Sequence, residues 1–342
     1  GDFLRKRGAV FVDERNGRRS VFSFDEGLPG TPGHAHHVDR ASFDLLLLQA
    51  AERAGARVLQ EHLVTAVDFD DAGVTVQVQD LQAGEGAAPT AVRARYLVDA
   101  SGQKALLARR GKTVDPIPNF GRAAAFRRYD GLAPAIAAEL QERGDIIVKI
   151  IDDGWMWAIP LAGASLSVGM VKASGKLEAA TLEREIAESP LLGRLLAAAQ
   201  GSEIGLLGNF SYRNTAPYGA RYVCIGDAAC FLDPVFSSGI ALALAGAETM
   251  ADLLAPALAA GSEAEPELMQ PLSRHMQRAY DAFARFIHRF YHTRLVDNVL
   301  LGEHSPDLPF RSGVISVLAA DVWREDNPFL NMLLGAQRVG GD

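Results

Sequence analysis

The sequence predicts an α/β fold with a second, mostly antiparallel sheet and a helical C-terminal region, and three observations predict it. Helix-period and strand-period segments alternate between residues 31 and 115 and return between 206 and 262. Between residues 116 and 205, strand patterns follow one another with few helices, which suits an antiparallel sheet. From Leu268 onward the pattern is helical and rich in aromatics. The expected division follows these changes: residues 31–115 with 206–262 form a discontinuous α/β domain, 1–30 with 116–205 the antiparallel-sheet domain, and 263–342 the helical region.

GLPGTPGHAHH, Gly27 to His37, has loop chemistry. Asp39 or Ser42 then caps an amphipathic helix that carries Phe43, Leu46, Leu47, Ala50 and Ala51 and closes at Gly55. ARVLQ, HLVTAVDFD, VTVQVQD and AVRARYLVDAS read as a strand and a small antiparallel meander, with turn residues at Asp70 to Gly73 and the loop AGEGAAP before the last pair closes. Four strands follow, AAAFRRY, DIIVKII, WMWAIPL and SLSVGMV, with the helix LAPAIAAELQERG after the first. Leu177 to Ala199 is helical, NFSYR leads to the strand RYVCI, and a helix of small residues starts near Ser238 or Gly239 and runs past Leu254. Alternation of this kind is an arrangement that binds dinucleotides.

With 342 residues, 48% of them hydrophobic and 22% charged, the chain makes one large domain or two intimate ones. Lys plus Arg is 34 against 42 for Asp plus Glu, a net charge of −8, so no basic field attracts nucleic acid or an anionic membrane surface. Cys224 and Cys230 make neither a disulfide framework nor CxxC spacing, which fits a reducing compartment and a cytoplasmic location. The long uncharged stretch from Gly154 to Val171 alternates at Leu166, Val168 and Met170 and contains Pro160, so it reads as strands rather than a membrane span. The amino end, GDFLRKRGAV, lacks the apolar core of a signal peptide.

From Tyr222 to Gly239, YVCIGDAACFLDPVFSSG reads as a strand ending at a Gly-Asp pair, then a proline turn and a helix. Asp227 falls at the carboxyl end of a strand, where open α/β sheets bind ligands, and its carboxylate suits sugar-alcohol hydroxyls. The helix start at Ser238 and Gly239 offers free N–H groups and a positive dipole end, so an anion belongs there: a reduced flavin ring or a small halide. A Gly-Asp pair alone is equally well explained as an aspartate-capped connection; the length of the run raises it above that.

GDAACFLDPVFSSG resembles the second flavin-binding motif of the flavin-dependent halogenases, relatives of the p-hydroxybenzoate hydroxylase type of monooxygenase. The resemblance implies an FAD/NAD(P)-binding Rossmann-like domain of that type and a substrate domain on the antiparallel sheet. It implies that Asp227 holds the ribityl chain, that the amides of Ser238 and Gly239 line a halide site, and that Gly226, Pro234, Ser237 and Ile240 lie beside the cofactor. VDRASFD, Val38 to Asp44, resembles a segment of the wider superfamily whose arginine, here Arg40, lies near the cofactor. LVDASGQKALLAR and VISVLAADV are weaker matches to superfamily and halogenase segments.

GWMWAIP contains Trp155, Trp157, Ile159 and Pro160. Two indoles two apart on a strand share a face and form a bulky apolar wall, and two core tryptophans are the plainer reading. The segment is similar to the halogenase hallmark Trp-x-Trp-x-Ile-Pro, which implies a wall that keeps the organic substrate away from the flavin. Lys6, in FLRKRGAVFV, precedes the apolar strand residue Phe11. Lone lysines are ordinarily solvated, but the essential lysine of the halogenases has this offset, which implies a catalytic role for Lys6. It would hold hypohalous acid as the ammonium or be halogenated as the free amine.

Two departures qualify the match. No GxGxxG occurs, although the family needs one to cradle the pyrophosphate, so the chain is expected to begin after it. Phe236 stands where tryptophan halogenases carry a glutamate, and PVFSSG is the form common in phenol and pyrrole halogenases, several of which act on carrier-bound substrates. His34, His36 and His37 lack partners at ligand spacing, and His288 and His292 lack the glutamate of the zinc-protease motif, so no metal is expected. Ser237 and Ser238 lack a nucleophile elbow.

The expected function is that of an FADH2-dependent halogenase using O2 and chloride or bromide, with reduced FAD supplied by a separate flavin reductase. Hypohalous acid made at the flavin would pass to Lys6 and thence to an electron-rich phenol or pyrrole, free or tethered to a carrier protein. The rivals are a flavin-dependent aromatic hydroxylase, a flavin oxidoreductase resembling the geranylgeranyl reductases, and a cofactor-free relative that binds a carrier protein or a small aromatic.

Overall fold

A computed structural model describes residues 3–84, 86–118, 120, 122–173, 177–208, 210–302 and 308–335. It begins with strands β1 (Leu4–Lys6), β2 (Gly8–Asp13), β3 (Arg18–Ser23) and β4 (Ala35–His37) and helix α1 (Arg40–Arg53). The meander β5 (His62–Asp70), β6 (Gly73–Asp80) and β7 (Thr90–Ala94) precedes β8 (Leu97–Asp99), α2 (Leu106–Arg110) and β9 (Val114–Pro116). Next come β10 (Ala123–Asp130), α3 (Pro134–Arg143), β11 (Ile146–Ile151), β12 (Gly154–Leu161) and β13 (Ser165–Lys172). After α4 (Ala179–Ala187), α5 (Pro190–Leu196), β14 (Gln200–Gly201) and β15 (Gly205–Gly208), the short strands β16 (Tyr212–Asn214), β17 (Tyr218–Gly219), β18 (Tyr222–Cys224) and β19 (Cys230–Phe231) lead into the last helices. These are α6 (Gly239–Ala260), α7 (Gln270–His292), α8 (Leu308–Leu318) and α9 (Pro328–Gly335).

The largest sheet has eight strands in the order β14–β10–β13–β12–β11–β2–β3, with β15 also on β10. Its pairs are antiparallel except β2 with β11. Strand alternation sends Met156, Ala158, Leu166, Val168 and Met170 to one face, where they pack with Leu140, Leu182, Leu192 and Leu195 of α3, α4 and α5. The opposite face carries Phe11, Val148 and Trp155 against the C-terminal helices, through Phe283, Phe286, Ile287 and Phe329. Gly154 to Val171 is uncharged because it is a hairpin covered on both faces.

Helix α3 starts on Pro134 and ends at left-handed Gly144, φ +63°. Any Cβ on Gly144 would lie 2.0 Å from the Arg5 carbonyl oxygen, because β1 crosses directly over this corner. β1 pairs antiparallel with β4, Lys6 opposite Ala35. β4 in turn lies against β12, which brings this ribbon to the tryptophan strand.

Three local expectations are corrected. Leu177 to Ala199 is two helices rather than one: Pro190 has no N–H to continue α4, and the Ser189 hydroxyl accepts the Leu192 N–H at 3.2 Å to start α5. Ala56 to Gln60 is irregular rather than a strand, since among the described residues no strand runs beside it to take its hydrogen bonds. Helix α1 forms where expected, capped by Asp39 accepting the Ser42 N–H at 3.1 Å, but none of its residues is buried. Leu45 to Leu48 stand in a row, so its apolar residues spread around the helix instead of forming the expected face, and Phe43 meets Phe3 edge-on.

Among the described residues, α6 alone is long and apolar enough to cross a membrane by length and composition. It buries Leu242, Gly246, Leu254 and Ala257, and Gly246 faces the sulfur of Met276 on α7.

Candidate functional site

Two turns following β18 build the site. β18 runs parallel to β8 with Cys224 opposite Asp99, so the chain leaves the sheet at a strand's carboxyl end. A 3₁₀ turn, Gly226–Ala228, comes next, with Gly226 left-handed at φ +57° and Ala243 of α6 at 3.4 Å from where its Cβ would be. The Tyr212 hydroxyl donates to the Asp227 carbonyl at 2.7 Å and pins the turn. Among the described residues nothing donates to the Asp227 carboxylate; burial pushes its pKa up, and the charge of Arg40 opposes that. Arg40 is exposed in the first turn of α1 and donates to Asp44 at 3.0 and 2.9 Å.

The second turn is Asp233 to Gly239. Asp233 accepts the Val235 N–H at 2.9 Å and caps the 3₁₀ turn Pro234–Phe236; Ser237 is left-handed at φ +54°, and Ser238 precedes α6. The Ser238 side chain makes no capping bond. The first-turn N–H groups of α6, at Gly239 and Ile240, therefore stay available at the positive end of the longest apolar helix. Ser238 is buried while Pro234, Ser237, Gly239 and Ile240 are exposed. Phe236 does not face this opening: its ring stacks on Phe286 at 3.8 Å and meets Phe290 edge-on.

Trp155, Trp157 and Ile159 project from one face of β12, and Pro160 from the other. The two indoles lie 5.6 Å apart, and Trp157 lies over Gly169, where a Cβ would sit 2.2 Å from its ring. Trp157 donates to the Ser167 hydroxyl at 3.1 Å. Trp155, 2% exposed, donates to the Tyr291 hydroxyl at 2.8 Å, which donates to the second Asp233 oxygen at 2.7 Å. Buried Arg122 reaches that oxygen at 3.6 Å and covers the Tyr291 ring at 3.9 Å. Burial pushes the Asp233 carboxyl up, and its bonds to Tyr291 and Val235, with Arg122 beside it, oppose the rise.

Lys6 is 8% exposed, with its ammonium 5.6 Å from the Phe24 ring centre. Burial pulls its pKa down to about 8, against the raising effect of Asp145. One Asp145 oxygen accepts from Arg143 at 2.6 Å, and the other is buried with no partner among the described residues. His37, pulled down to about 4 by burial and then by Lys6, has its Nε2 2.7 Å from the Gly144 carbonyl oxygen. No hydrogen bond or ion pair among the described residues joins Lys6 to either turn.

Sequence reasoning did not single out Asp233, Arg122, Tyr291 or Asp145. Asp233 lies inside the motif run and was open to inspection there. Arg122 and Tyr291 reach it from β10's approach and from the end of α7, and no local pattern marks either. His37 differs from its neighbours in being buried, whereas His34 and His36 are exposed.

The tryptophan halogenase family matches residues 12–300. A 1H-pyrrole-2-carbonyl peptidyl-carrier-protein chlorinase of Pseudomonas fluorescens is 28% identical over 84% of this chain, and the chain spans 64% of it. Sulochrin halogenase gedL of Aspergillus terreus is 27% identical over 83% of this chain, which spans 56% of that protein. Among solved structures, the myxobacterial chondrochloren halogenase CndH, a variant of the FAD-dependent halogenases, superposes with a TM-score of 0.74 at 28% identity, over 96% of this chain and 77% of that one.

Proposed function

This chain belongs to the tryptophan halogenase family, and from that membership and the site's geometry we propose an FADH2-dependent halogenase acting on an electron-rich aromatic ring. The observation that carries the reading is the hydrogen-bonded link from Trp155 through Tyr291 to Asp233, which joins an indole wall to a turn that offers free amides to an anion.

The residues present fit one end of a flavin. The Asp227 carboxylate, with no hydrogen-bond donor among the described residues and beside a left-handed glycine, suits ribityl hydroxyls, and Arg40 adds positive charge. When bound, the reduced flavin supplies two of the four electrons that O2 takes up, and the halide gives the other two as it is oxidised to hypohalous acid, with water as the second product. The amides of Gly239 and Ile240 would hold chloride or bromide at the helix end. Trp155, Trp157 and Ile159 would keep the aromatic substrate and bulk water off the halide. Lys6, part ammonium and part amine near pH 8, would donate a hydrogen bond to the oxygen of hypohalous acid. The halogen then bonds to a ring carbon as the oxygen–halogen bond breaks, the departing hydroxide takes a proton from Lys6 to leave as water, and the ring proton, lost to solvent, balances the one that reprotonates Lys6.

Phenols and pyrroles are the proposed substrate class, free or carrier-bound, with reduced FAD from a separate reductase. The pyrrole chlorinase and the sulochrin halogenase among the relatives support this. The test is turnover of both classes with a flavin reductase, FAD and bromide, read by intact mass. A product with the bromine isotope pattern is expected. An oxygenated or reduced product that forms equally without bromide would overturn the proposal in favour of a hydroxylase or reductase.

A further inference from the structure

Tyr291 lies at the end of α7, far in sequence from both motifs, yet it is the hinge between them. Its hydroxyl accepts the Trp155 indole N–H at 2.8 Å and spends its own proton on Asp233 at 2.7 Å. The other Asp233 oxygen takes the Val235 N–H at 2.9 Å and so shapes the turn that runs through left-handed Ser237 into α6. Trp155, Asp233 and Arg122 are 2%, 1% and 3% exposed and Tyr291 is half-buried, so losing one member of the chain of bonds leaves buried groups without that partner. Stacking of Phe236 on Phe286 fixes the same turn to the same helix.

We propose that Tyr291 is a positioning residue that couples the indole wall to the anion-accepting turn, making their spacing a single rigid quantity set by α7. A tyrosine is needed because the position must accept from one side and donate to the other; phenylalanine does neither, and histidine has a different reach. The ring itself is held independently, by Arg122 at 3.9 Å and Phe290 at 5.2 Å, so removing only the hydroxyl leaves the packing in place. The functional consequence of this coupling rests on the halogenase reading; the coupling does not.

The test uses Tyr291→Phe in the full chain, followed by NMR of the indole and backbone N–H groups, without flavin. Removal of the hydroxyl should move the Trp155 indole signal and the amide signals of Val235 to Gly239 together, leaving unchanged the indole of Trp323, which donates instead to the His275 carbonyl at 3.0 Å. Trp155→Phe, which removes the first donor together with part of the buried ring, reads the same coupling from the other end and should move the same turn amides. Unmoved amides from Val235 to Gly239 in either folded variant overturn the proposal. A bromide titration then separates the two readings. In the wild type, bromide should shift Gly239 and Ile240, and Tyr291→Phe should weaken that binding about tenfold. A wild type that ignores bromide sinks the halide site and leaves the coupling to be judged by the first measurement.

Discussion

At the scale of single residues, the environment of Lys6 makes a prediction with a definite sign. Phe24 and the apolar core desolvate its ammonium and pull its pKa down to about 8, while Asp145, held in place by Arg143, pulls the other way. His37 is neutral above about pH 4 and adds no charge near neutrality. Competitive acylation of Lys6 should therefore show a midpoint near pH 8 and a still lower one in Asp145→Asn. A wild-type midpoint at the ordinary lysine value, or no movement in the variant, would disprove this account. The same group links stability to pH. Its folded pKa lies below the unfolded one, so the folded state binds fewer protons between about pH 8 and 10.5, and stability rises with pH across that window. Lys6→Met should be more stable than the wild type at pH 7, by roughly 3 kcal/mol at most, and lose that advantage as pH approaches 10.5.

Elements show that two helices can form on different sequence patterns. α7 carries its apolar residues on one face, whereas α1, with Leu45 to Leu48 in a row, spreads them around the helix and has no distinct apolar face, contrary to the amphipathic helix expected there. α7 buries Leu272, Met276, Phe283, Phe286, Ile287 and Phe290 in the main core, whereas Leu47 of α1 is 41% exposed. Apolar content and a cap suffice to make α1 a helix, but only the periodicity of α7 marks a face for burial. Ile287→Ala should accordingly cost about 2–5 kcal/mol in denaturant unfolding, while Leu47→Ala should stay within about 0.5 kcal/mol. Equal losses in the two variants would mean that α1 is covered in solution. The strands β10 to β13 were legible for a related reason: their alternation and the turn residues between them are local signals. The break at Pro190 was missed although its signal is local: a proline whose missing N–H ends one helix and starts another.

For the whole molecule, the site lies where the β18 turns, the tryptophan face of the large sheet and the C-terminal helices meet. Residues within contiguous runs, such as Asp227 to Gly239 and Trp155 to Pro160, could be read from sequence because spacing along the chain fixes spacing in the turn or strand. Tyr291, Arg122 and Asp145 could not, since only the tertiary fold brings them to the site, and a tyrosine on an amphipathic helix looks like core. The distribution of cofactor contacts along the fold yields a last prediction. On the proposed reading, Asp227, Arg40 and the α6 amides would address the ribityl chain and ring of a flavin, and the sequence contains no GxGxxG to receive a pyrophosphate. FAD and FMN share the ring and ribityl portion and differ in the adenylate half. If this chain holds only the shared portion, the two should bind with dissociation constants within about tenfold of each other, a difference below ~1.4 kcal/mol. Flavin fluorescence titration of both measures this directly. Binding of FAD a hundredfold tighter would mean that other residues of this chain receive the adenylate, and Asp227→Asn would then weaken only part of the affinity instead of most of it.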